Sequence, residues 1–180
     1  MHRHWIDRSA GEGFPDHVCL AELKQEMEIR KAHRSDLPRL TGLWLEFMEY
    51  HRRLDPDYEL EEGAIDRWVE YVTSKFDDES AQLFVADCDG KLVAYAGAVI
   101  RDYPPVFTLK NFGCIEEIAV SRDHRRKGIA GQLFNAAEEW LLSNNVERIE
   151  VSIDFANDAS QGFFRDLGFR DHVVRLIRTY

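Results

Sequence analysis

The chain of 180 residues lacks long apolar runs and paired cysteines, and these absences exclude several classes of protein. No stretch of about 18 consecutive apolar residues occurs, so we expect no membrane span. The amino-terminal residues show no basic segment followed by an apolar one, so we expect no secretory signal. Cys19, Cys88 and Cys114 stand far apart and form no CxxC pair. This spacing argues against a disulfide framework and a Cys-rich zinc site, so we expect no metal and a cytoplasmic location.

Positive charge is also scarce. The chain has 23 Lys and Arg residues against 33 Asp and Glu residues, for a net charge of −10. A protein this acidic is a poor general partner for nucleic acid or for an anionic membrane, so we expect neither. Residues 122–127 are an exception, because they carry four basic side chains and one acidic side chain. A basic cluster on an acidic chain predicts a small, local anion site.

The length predicts one domain, since domains hold roughly 100–200 residues. Apolar residues make up 44% of the chain, which is enough for a core. Residues 1–26 contain histidines, glycines and a proline without sustained periodicity. We therefore predict an amino-terminal extension over 1–26, flexible or loosely docked, and a single domain over 27–180.

Hydrophobic periodicity predicts elements in the order β-α-α-β-β-β-α-β-α-β. Asp89-Gly90 between two apolar runs indicates a hairpin turn. Early hairpins and a late strand-helix-strand crossover favour an α/β fold, with a mixed sheet and helices on its faces. The predicted strands cover 27–33, 82–88, 91–101, 112–120, 148–154 and 170–180, and the predicted helices cover 36–54, 62–76, 128–144 and 160–167.

The most informative segment is the strand, basic loop and helix over 115–133. The strand ends at Val120, and Gly128 opens the next helix. The first N–H groups of a helix have no intrahelical acceptor, and the helix dipole adds partial positive charge there. Gly128 and Ala130 lack bulk, so a phosphate can approach the backbone. The segment contains no GxxxxGK[ST] motif and does not match GxGxxG, so we expect neither a Walker loop nor a dinucleotide fold.

The residues Arg-Arg-Lys-Gly-Ile-Ala over 125–130 resemble the R/Q-x-x-G-x-G/A motif of the GNAT superfamily of N-acetyltransferases. Residues 27–40 are similar to that family's opening strand and helix. Residues 157–160 and 163–169 are similar to its closing N-x-x-A and F-Y-x-x-x-G-F segment. The resemblance covers the chain from Met27 to its end. It implies a mixed, mostly antiparallel sheet of six to seven strands, splayed between its two central strands, with helices on both faces.

The resemblance also implies acetyl transfer from acetyl-CoA to an amine by direct attack, without an acyl-enzyme. The residues implied to pair with the pantetheine arm are Ile118, Ala119 and Val120. Those implied to hold the pyrophosphate are Arg125, Arg126, Lys127, Gly128, Ile129, Ala130 and Gly131. Asn157 and Phe164 are implied to lie near the thioester end of the cosubstrate.

Glu116 and Glu117, on the strand before the loop, are the candidate catalytic bases. An alkyl ammonium has a pKa of about 10.4, so removing its proton at pH 7 costs about 4.6 kcal/mol. Adjacent strand residues point to opposite faces, so at most one of the two should enter the site. Similarity to members that acetylate small amines favours Glu116.

The sequence departs from the family pattern at Phe164, where many members carry a tyrosine that acts as general acid. Either CoA leaves as the thiolate without a general acid, as a thiol pKa of about 8.5 allows, or another phenol acts as the general acid. Tyr103 and Tyr95 are the candidates. His51 lies on the apolar face of the first helix, where packing is a simpler role than substrate contact. The acidic stretches 55–62 and 77–79 could attract a cationic amine.

We therefore expect an N-acetyltransferase that acts on a small cationic amine or an amino-acid derivative. Two alternatives stay open: a protein or peptide N-acetyltransferase, and a non-catalytic CoA-binding module, which Phe164 motivates. A DNA-binding role for the basic loop is least favoured by the acidic remainder of the chain. Only eleven residues follow Phe169, so we predict one long final strand. Either a partner chain, which would make a homodimer, or the amino-terminal extension is expected to complete the sheet.

Overall fold

The computed structural model describes residues 27–180; the predicted extension over 1–26, with His2 and His4, lies outside the described residues. A five-stranded sheet runs through this part of the chain in sequence order, with four antiparallel strands and a fifth parallel to the fourth. The strands are β1 Met27–Lys31, β2 Ala81–Cys88, β3 Lys91–Asp102, β4 Asn111–Val120 and β5 Ile149–Val151. The helices are α1 Leu37–Leu54, α2 Ala64–Lys75, α3 Ile129–Ser143 and α4 Asp158–Asp166.

Helices cover both faces of the sheet, as predicted. The apolar stripes of α1 and α2 bury Leu40 and Trp68 against one face. The stripes of α3 and α4 bury Leu133 and Phe164 against the other. Each helix thus removes one apolar face from water, which is the main favourable contribution to folding. The predicted α/β class, with a mixed and mostly antiparallel sheet, is confirmed.

The predicted hairpin between β2 and β3 is also present. Asp89 and Gly90 form its two-residue turn, with φ angles of 50° and 84°. Both central residues are in the left-handed region, as a type I′ turn requires, and Asp-Gly is a preferred pair for that turn.

The predicted final strand over 170–180 is wrong, because this segment does not join the sheet among the described residues. Its apolar residues occur as adjacent pairs, Val173-Val174 and Leu176-Ile177, and these side chains are 75% to 88% exposed. Adjacent apolar residues would suit a strand buried on both faces, as β3 is, but the described fold leaves these side chains exposed. The described sheet consequently has five strands rather than six or seven.

The splay expected between two central strands stays a prediction, and the shortest strand pairing of the described sheet is between β4 and the edge strand β5. The two strands pair in parallel only from Gly113 to Ile115, opposite Ile149 to Val151. β5 ends there, three residues before the predicted end of the strand. The edge of β4 from Glu116 to Val120 that faces β5 therefore has no strand partner within the described part of the chain.

An ion-pair network with a buried carboxylate at its centre ties β1 to the start of α1. Asp36 is buried and accepts hydrogen bonds from Arg30 at 2.8 and 3.1 Å and from Arg39 at 2.6 Å. The backbone N–H of His33 donates a further bond of 2.8 Å to the same carboxylate. The Arg30 hydrogen bond is the largest cause that lowers the pKa of Asp36 to about 2. This carboxylate therefore stays charged at neutral pH.

Candidate functional site

The amino terminus of α3 presents a row of free backbone donors. Gly128 precedes the helix with φ at 78°, and Arg126 has φ at 63°. The N–H groups of residues 126–131 have no hydrogen-bond acceptor among the described residues. A Cβ built on Gly128 would meet no atom within 4 Å, so the space above its backbone is open. This loop and helix start, which we call the cradle (residues 125–131), fits an anion such as a pyrophosphate.

Contacts with α1 hold the cradle in place. Glu46 accepts a hydrogen bond of 2.5 Å from the backbone N–H of Arg122. Arg125 donates through Nε to the carbonyl of Val120 at 3.0 Å, and its guanidinium lies 5.4 Å from the centre of the Tyr50 ring. Arg125 is thus directed back onto α1 and the end of β4, whereas Arg126 and Lys127 are exposed at the rim.

Asn157 connects the cradle region to α4. Its side chain is buried, and its Oδ1 accepts a hydrogen bond from the N–H of Ser160 at 3.1 Å, which caps α4. The hydroxyl of Tyr50 donates to the same oxygen at 3.3 Å. Contacts from Val120 through Arg125 and Tyr50 to Asn157 therefore link three of the predicted cofactor-binding residues. Tyr50 was not among the predicted site residues. The one sequence feature that pointed to it is its position next to His51 on α1.

Phe164, also predicted to contact the cosubstrate, lies in the core. It is 6% exposed, and its ring packs edge-on against Phe134, Phe163 and Phe169. This position shows that a phenyl ring there serves packing between α3 and α4. Its contact with a cosubstrate stays a prediction.

A β-bulge in β4 places both candidate glutamates on one side of the sheet. Gly97 pairs with Glu117, whereas the next residue, Ala98, pairs with Ile115, so Glu116 is the extra residue. Glu116 contacts α2, and Glu117 contacts a β3 residue of the core cluster on the α1 and α2 side. The expectation that only one of them could enter the site is wrong, because a bulge interrupts strict alternation.

A pocket lies beside this bulge, between α2 and the sheet. Its empty volume is about 400 Å³, part of which is open to solvent. Polar groups from α2 and from both strands meet there, among mostly apolar neighbours. The lining side chains with polar atoms are Trp68, Tyr71, Lys75, Gln82, Tyr95, Glu116 and Glu117.

Donors surround both carboxylate oxygens of Glu116. Tyr71 donates its hydroxyl at 3.0 and 3.1 Å, Arg101 donates at 2.7 Å, and Lys75 Nζ lies 3.2 Å away. Both oxygens of this carboxylate are therefore occupied by donors. Glu116 therefore acts first as an anchor between α2, β3 and β4.

Glu117 has a different environment. Its Oε2 accepts one hydrogen bond of 2.5 Å from the hydroxyl of Tyr95, and no cation pairs with it among the described residues. Burial raises the pKa of Glu117 above its ordinary value, and the negative charge of Glu116 acts in the same direction. A carboxylate with a raised pKa in a pocket has the properties that a general base needs near neutral pH.

Two other predicted candidates do not join this pocket. Tyr103 lies at the opposite end of β4 from the cradle, where its hydroxyl donates to Glu150. His51 packs its ring 4.0 Å from Phe47, and its Nδ1 lies 2.9 Å from the carbonyl of Phe47. The tertiary contacts of His51 are aromatic, which agrees with a packing role.

Cysteines and metal ligands give no alternative chemistry in the described part of the chain. Burial raises the pKa of the Cys114 thiol, which disfavours the reactive thiolate. Residues 27–180 contain no group of three or more His, Cys, Asp or Glu side chains placed to hold a metal ion. Within the same residues, no helix combines the length and the apolar character needed to cross a membrane.

Comparisons with known proteins agree with this geometry. Residues 40–169 match the model of the acetyltransferase (GNAT) family. An uncharacterized N-acetyltransferase of Archaeoglobus fulgidus is 25% identical over 144 residues, which cover 80% of this chain and 93% of that protein. Aminoglycoside N(6')-acetyltransferase type 1 of Salmonella typhimurium is 26% identical over 146 residues, covering 81% and 92% of the two chains.

A solved structure shares the fold. The aminoglycoside N-acetyltransferase AAC(6')-Iy in complex with CoA superposes with a TM-score of 0.71 at 23% identity. The match covers 89% of this chain and 99% of that chain.

Proposed function

The chain belongs to the acetyltransferase (GNAT) family, and we propose that it moves an acetyl group from acetyl-CoA directly to the primary amine of a small molecule. The observation that carries this proposal is the row of unpartnered N–H groups over 126–131, next to the open edge of β4. The pocket with its two carboxylates lies between α2 and the sheet, beside the bulge of the same strand. The open edge, the cradle and the pocket thus meet at one strand.

The cradle holds the cosubstrate in this proposal. The N–H groups of residues 126–131 bind the pyrophosphate, and Arg126 and Lys127 add charge at the rim. The backbone of Ile118 to Val120 hydrogen-bonds the pantetheine arm along the unpaired edge of β4. Acetyl-CoA supplies the acetyl group as a thioester: the amine nitrogen bonds to the acetyl carbon, the carbon–sulfur bond breaks, and CoA leaves as the free thiol.

Glu117 is the base of the proposed reaction, in place of Glu116, which the family resemblance favoured. Deprotonating an alkyl ammonium at pH 7 costs about 4.6 kcal/mol, and a nearby base whose pKa is raised towards neutrality can accept that proton. Tyr71, Arg101 and Lys75 already occupy both carboxylate oxygens of Glu116, whereas one oxygen of Glu117 has no hydrogen-bond partner within residues 27–180. Glu117 takes the proton at its carboxylate, directly or through one water molecule.

Tyr50 is a candidate proton donor to the leaving CoA sulfur, since the phenyl ring of Phe164 has no proton to donate. Its hydroxyl is hydrogen-bonded to Asn157 at 3.3 Å, and its ring lies 5.4 Å from the guanidinium of Arg125. The thiol pKa of about 8.5 makes such a donor helpful rather than essential. Replacing Tyr50 by Phe should therefore lower kcat by a factor of about ten or less, with acetyl-CoA binding retained.

The names of relatives and the chemistry of the pocket favour a small acceptor. The pocket lies between α2 and the sheet, where polar side chains from both walls converge. Two relatives are named for the acetylation of small molecules, aminoglycosides and streptothricin. The proposed acceptor is a small cationic amine or an amino-acid derivative. The carboxylates in the pocket favour catalysis over a role as a CoA-binding module.

Titration calorimetry with acetyl-CoA, followed by an amine panel monitored by thiol release, tests the proposal. We expect acetyl-CoA to bind and at least one small primary amine to be acetylated. Failure to bind acetyl-CoA at millimolar concentration would overturn the proposal. Binding without turnover across amines and peptides would instead support the CoA-binding module.

The homodimer stays a prediction. Its support is the open edge of β5 together with the exposed apolar segment over 170–180. Light scattering of the full chain tests it, and a monomeric mass across micromolar concentrations would contradict it.

A further inference from the structure

One face of α2 lines the pocket with hydrogen-bond donors. Trp68, Tyr71 and Lys75 are spaced by three and four residues, so they share one side of the helix, and all three line the pocket. The opposite wall, from β3 and β4, contributes the carboxylates of Glu116 and Glu117. Donors and carboxylates therefore face the same space from different sides.

The indole N–H of Trp68 has no acceptor. Trp68 is 7% exposed, its ring stacks on Trp44 at 4.9 Å, and its Nε1 is buried without a hydrogen-bond partner within the described residues. Buried polar groups in native proteins are almost always bonded, so an unpartnered donor in a pocket wall points to a ligand that supplies the acceptor.

Lys75 adds positive charge to the same wall. Its Nζ lies 3.2 Å from Glu116 and 4.6 Å from the centre of the Tyr71 ring. Arg101 pairs with the same Glu116 at 2.7 Å. One carboxylate thus serves two cations. The ammonium group of Lys75 has three N–H donors, so it can donate to a second carboxylate as well as to Glu116.

We propose that the acceptor carries a carboxylate as well as its amine, with the carboxylate bound by Trp68 Nε1 and Lys75 Nζ and the amine directed to Glu117. This inference rests on the proposed function and narrows its substrate class. It selects an amino-acid-like acceptor over a polycation. A second ammonium group beside Lys75 would meet a like charge, which disfavours polycationic acceptors at this wall.

Matched acceptors test this directly. Several amino acids are each compared with the corresponding carboxamide, and an aminoglycoside serves as the polycation. Amidation lowers the pKa of the neighbouring amine, which by itself would favour the amide. We expect kcat/KM from thiol release to be at least about tenfold higher for the preferred amino acid than for its carboxamide and for the aminoglycoside.

Two variants form the matched pair. Lys75→Gln and Arg101→Gln each remove one cation from Glu116, but only Lys75 lines the pocket. We expect Lys75→Gln to reduce the carboxylate preference to about threefold or less, and Arg101→Gln to retain it. Trp68→Phe, which keeps the aromatic ring and removes the N–H, should also weaken the preference. Thermal melting and acetyl-CoA affinity verify that each variant is folded.

Three results would overturn the inference while leaving the proposed function intact. The first is equal or better turnover of carboxamides or the aminoglycoside by the unchanged protein. The second is an equal loss of preference in Lys75→Gln and Arg101→Gln. The third is a protein that binds acetyl-CoA and acetylates amines without a carboxylate, but acetylates no amine that carries one. Absence of acetyl-CoA binding, measured first, is the separate result that would refute the proposed function itself.

Discussion

The hydroxyl of Tyr95, on β3, donates a hydrogen bond of 2.5 Å to Oε2 of Glu117, on β4. Tyr95 is almost fully buried, and burial raises its pKa well above the ordinary value, so it remains a neutral donor at every pH at which the protein would be assayed. The other oxygen of Glu117 has no hydrogen-bond partner within residues 27–180. One oxygen is thus fixed by the fold, and the other is left for a ligand or a water molecule.

Replacing Glu117 by Gln should lower kcat/KM for amine acetylation by about 10²- to 10⁴-fold, the usual contribution of a general base. Because burial raises the pKa of Glu117, the rate of the unchanged protein should increase with pH through that pKa, and the variant should lose this limb. The pH dependence of kcat/KM measures both effects.

Glu116→Gln is the matched comparison, because it removes the neighbouring carboxylate of the same bulge. We expect it to lower stability through loss of the contacts with Tyr71, Lys75 and Arg101, while the rising limb of the pH profile persists. Loss of that limb in Glu116→Gln but not in Glu117→Gln would reverse the assignment of the base.

Tyr95→Phe should move the rising limb to higher pH. The hydrogen bond from Tyr95 lowers the pKa of Glu117 against the larger opposing effect of burial, so its removal raises that pKa further. A buried hydrogen bond contributes about 1 kcal/mol to stability, so the variant should still fold. An unchanged pH profile in folded Tyr95→Phe would show that the hydrogen bond does not influence the titrating group.

Local patterns in the sequence were sufficient to predict the helices, the hairpin and the cradle. The apolar spacing of α1 and the Asp89-Gly90 turn are short-range features, and the folded chain shows them as predicted. The cradle is similarly contained within one strand-loop-helix segment. Such features depend on neighbours a few residues apart, which the sequence displays directly.

The bulge in β4 could not be predicted in this way. Whether Glu116 or another residue is the extra one depends on how β4 pairs with β3, and that register is a property of two strands. The partners of Glu116 come from α2 and β3 for the same reason. The final strand was mispredicted because residues 170–180 are rich in β-branched and apolar residues, which favour a strand locally, whereas pairing with the sheet depends on the rest of the fold.

Gly128→Ala should reduce acetyl-CoA affinity by about tenfold or more, because a Cβ would enter the open space where the pyrophosphate approaches the backbone. Gly90→Ala is the control. Gly90 has φ at 84°, close to the 78° of Gly128, and its Cβ would also meet no atom within 4 Å.

Both substitutions place alanine in the left-handed region, at a similar cost of about 1–2 kcal/mol. Calorimetry and thermal melting should therefore show equal losses of stability but a loss of affinity only in Gly128→Ala. Equal affinities in the two variants would mean that the cradle does not contact the cosubstrate.

Asp36→Asn should lower the free energy of unfolding by about 2 kcal/mol at pH 7, because the pKa of Asp36 is lowered from 3.8 to about 2 in the folded chain. A depressed carboxylate pKa stabilises the fold above the unfolded pKa, and this stabilisation is lost as the pH falls towards 2. Urea unfolding at pH 7 and pH 3 should show the difference between the two proteins shrinking with acidity. Asp66→Asn, at an exposed site, should change stability by no more than about 0.5 kcal/mol at either pH.

Gly113→Ala should destabilise the fold by about 1–3 kcal/mol, because its Cβ would lie 2.6 Å from Cδ1 of Leu141 and force α3 away from β4. Gly42→Ala, in the middle of α1, should act in the opposite direction. A Cβ at Gly42 meets no atom within 4 Å, and alanine in a helix is favoured over glycine by about 0.5–1 kcal/mol. Urea unfolding of both variants would therefore give shifts of opposite sign, and a stabilising effect of Gly113→Ala would contradict the close packing of α3 on β4.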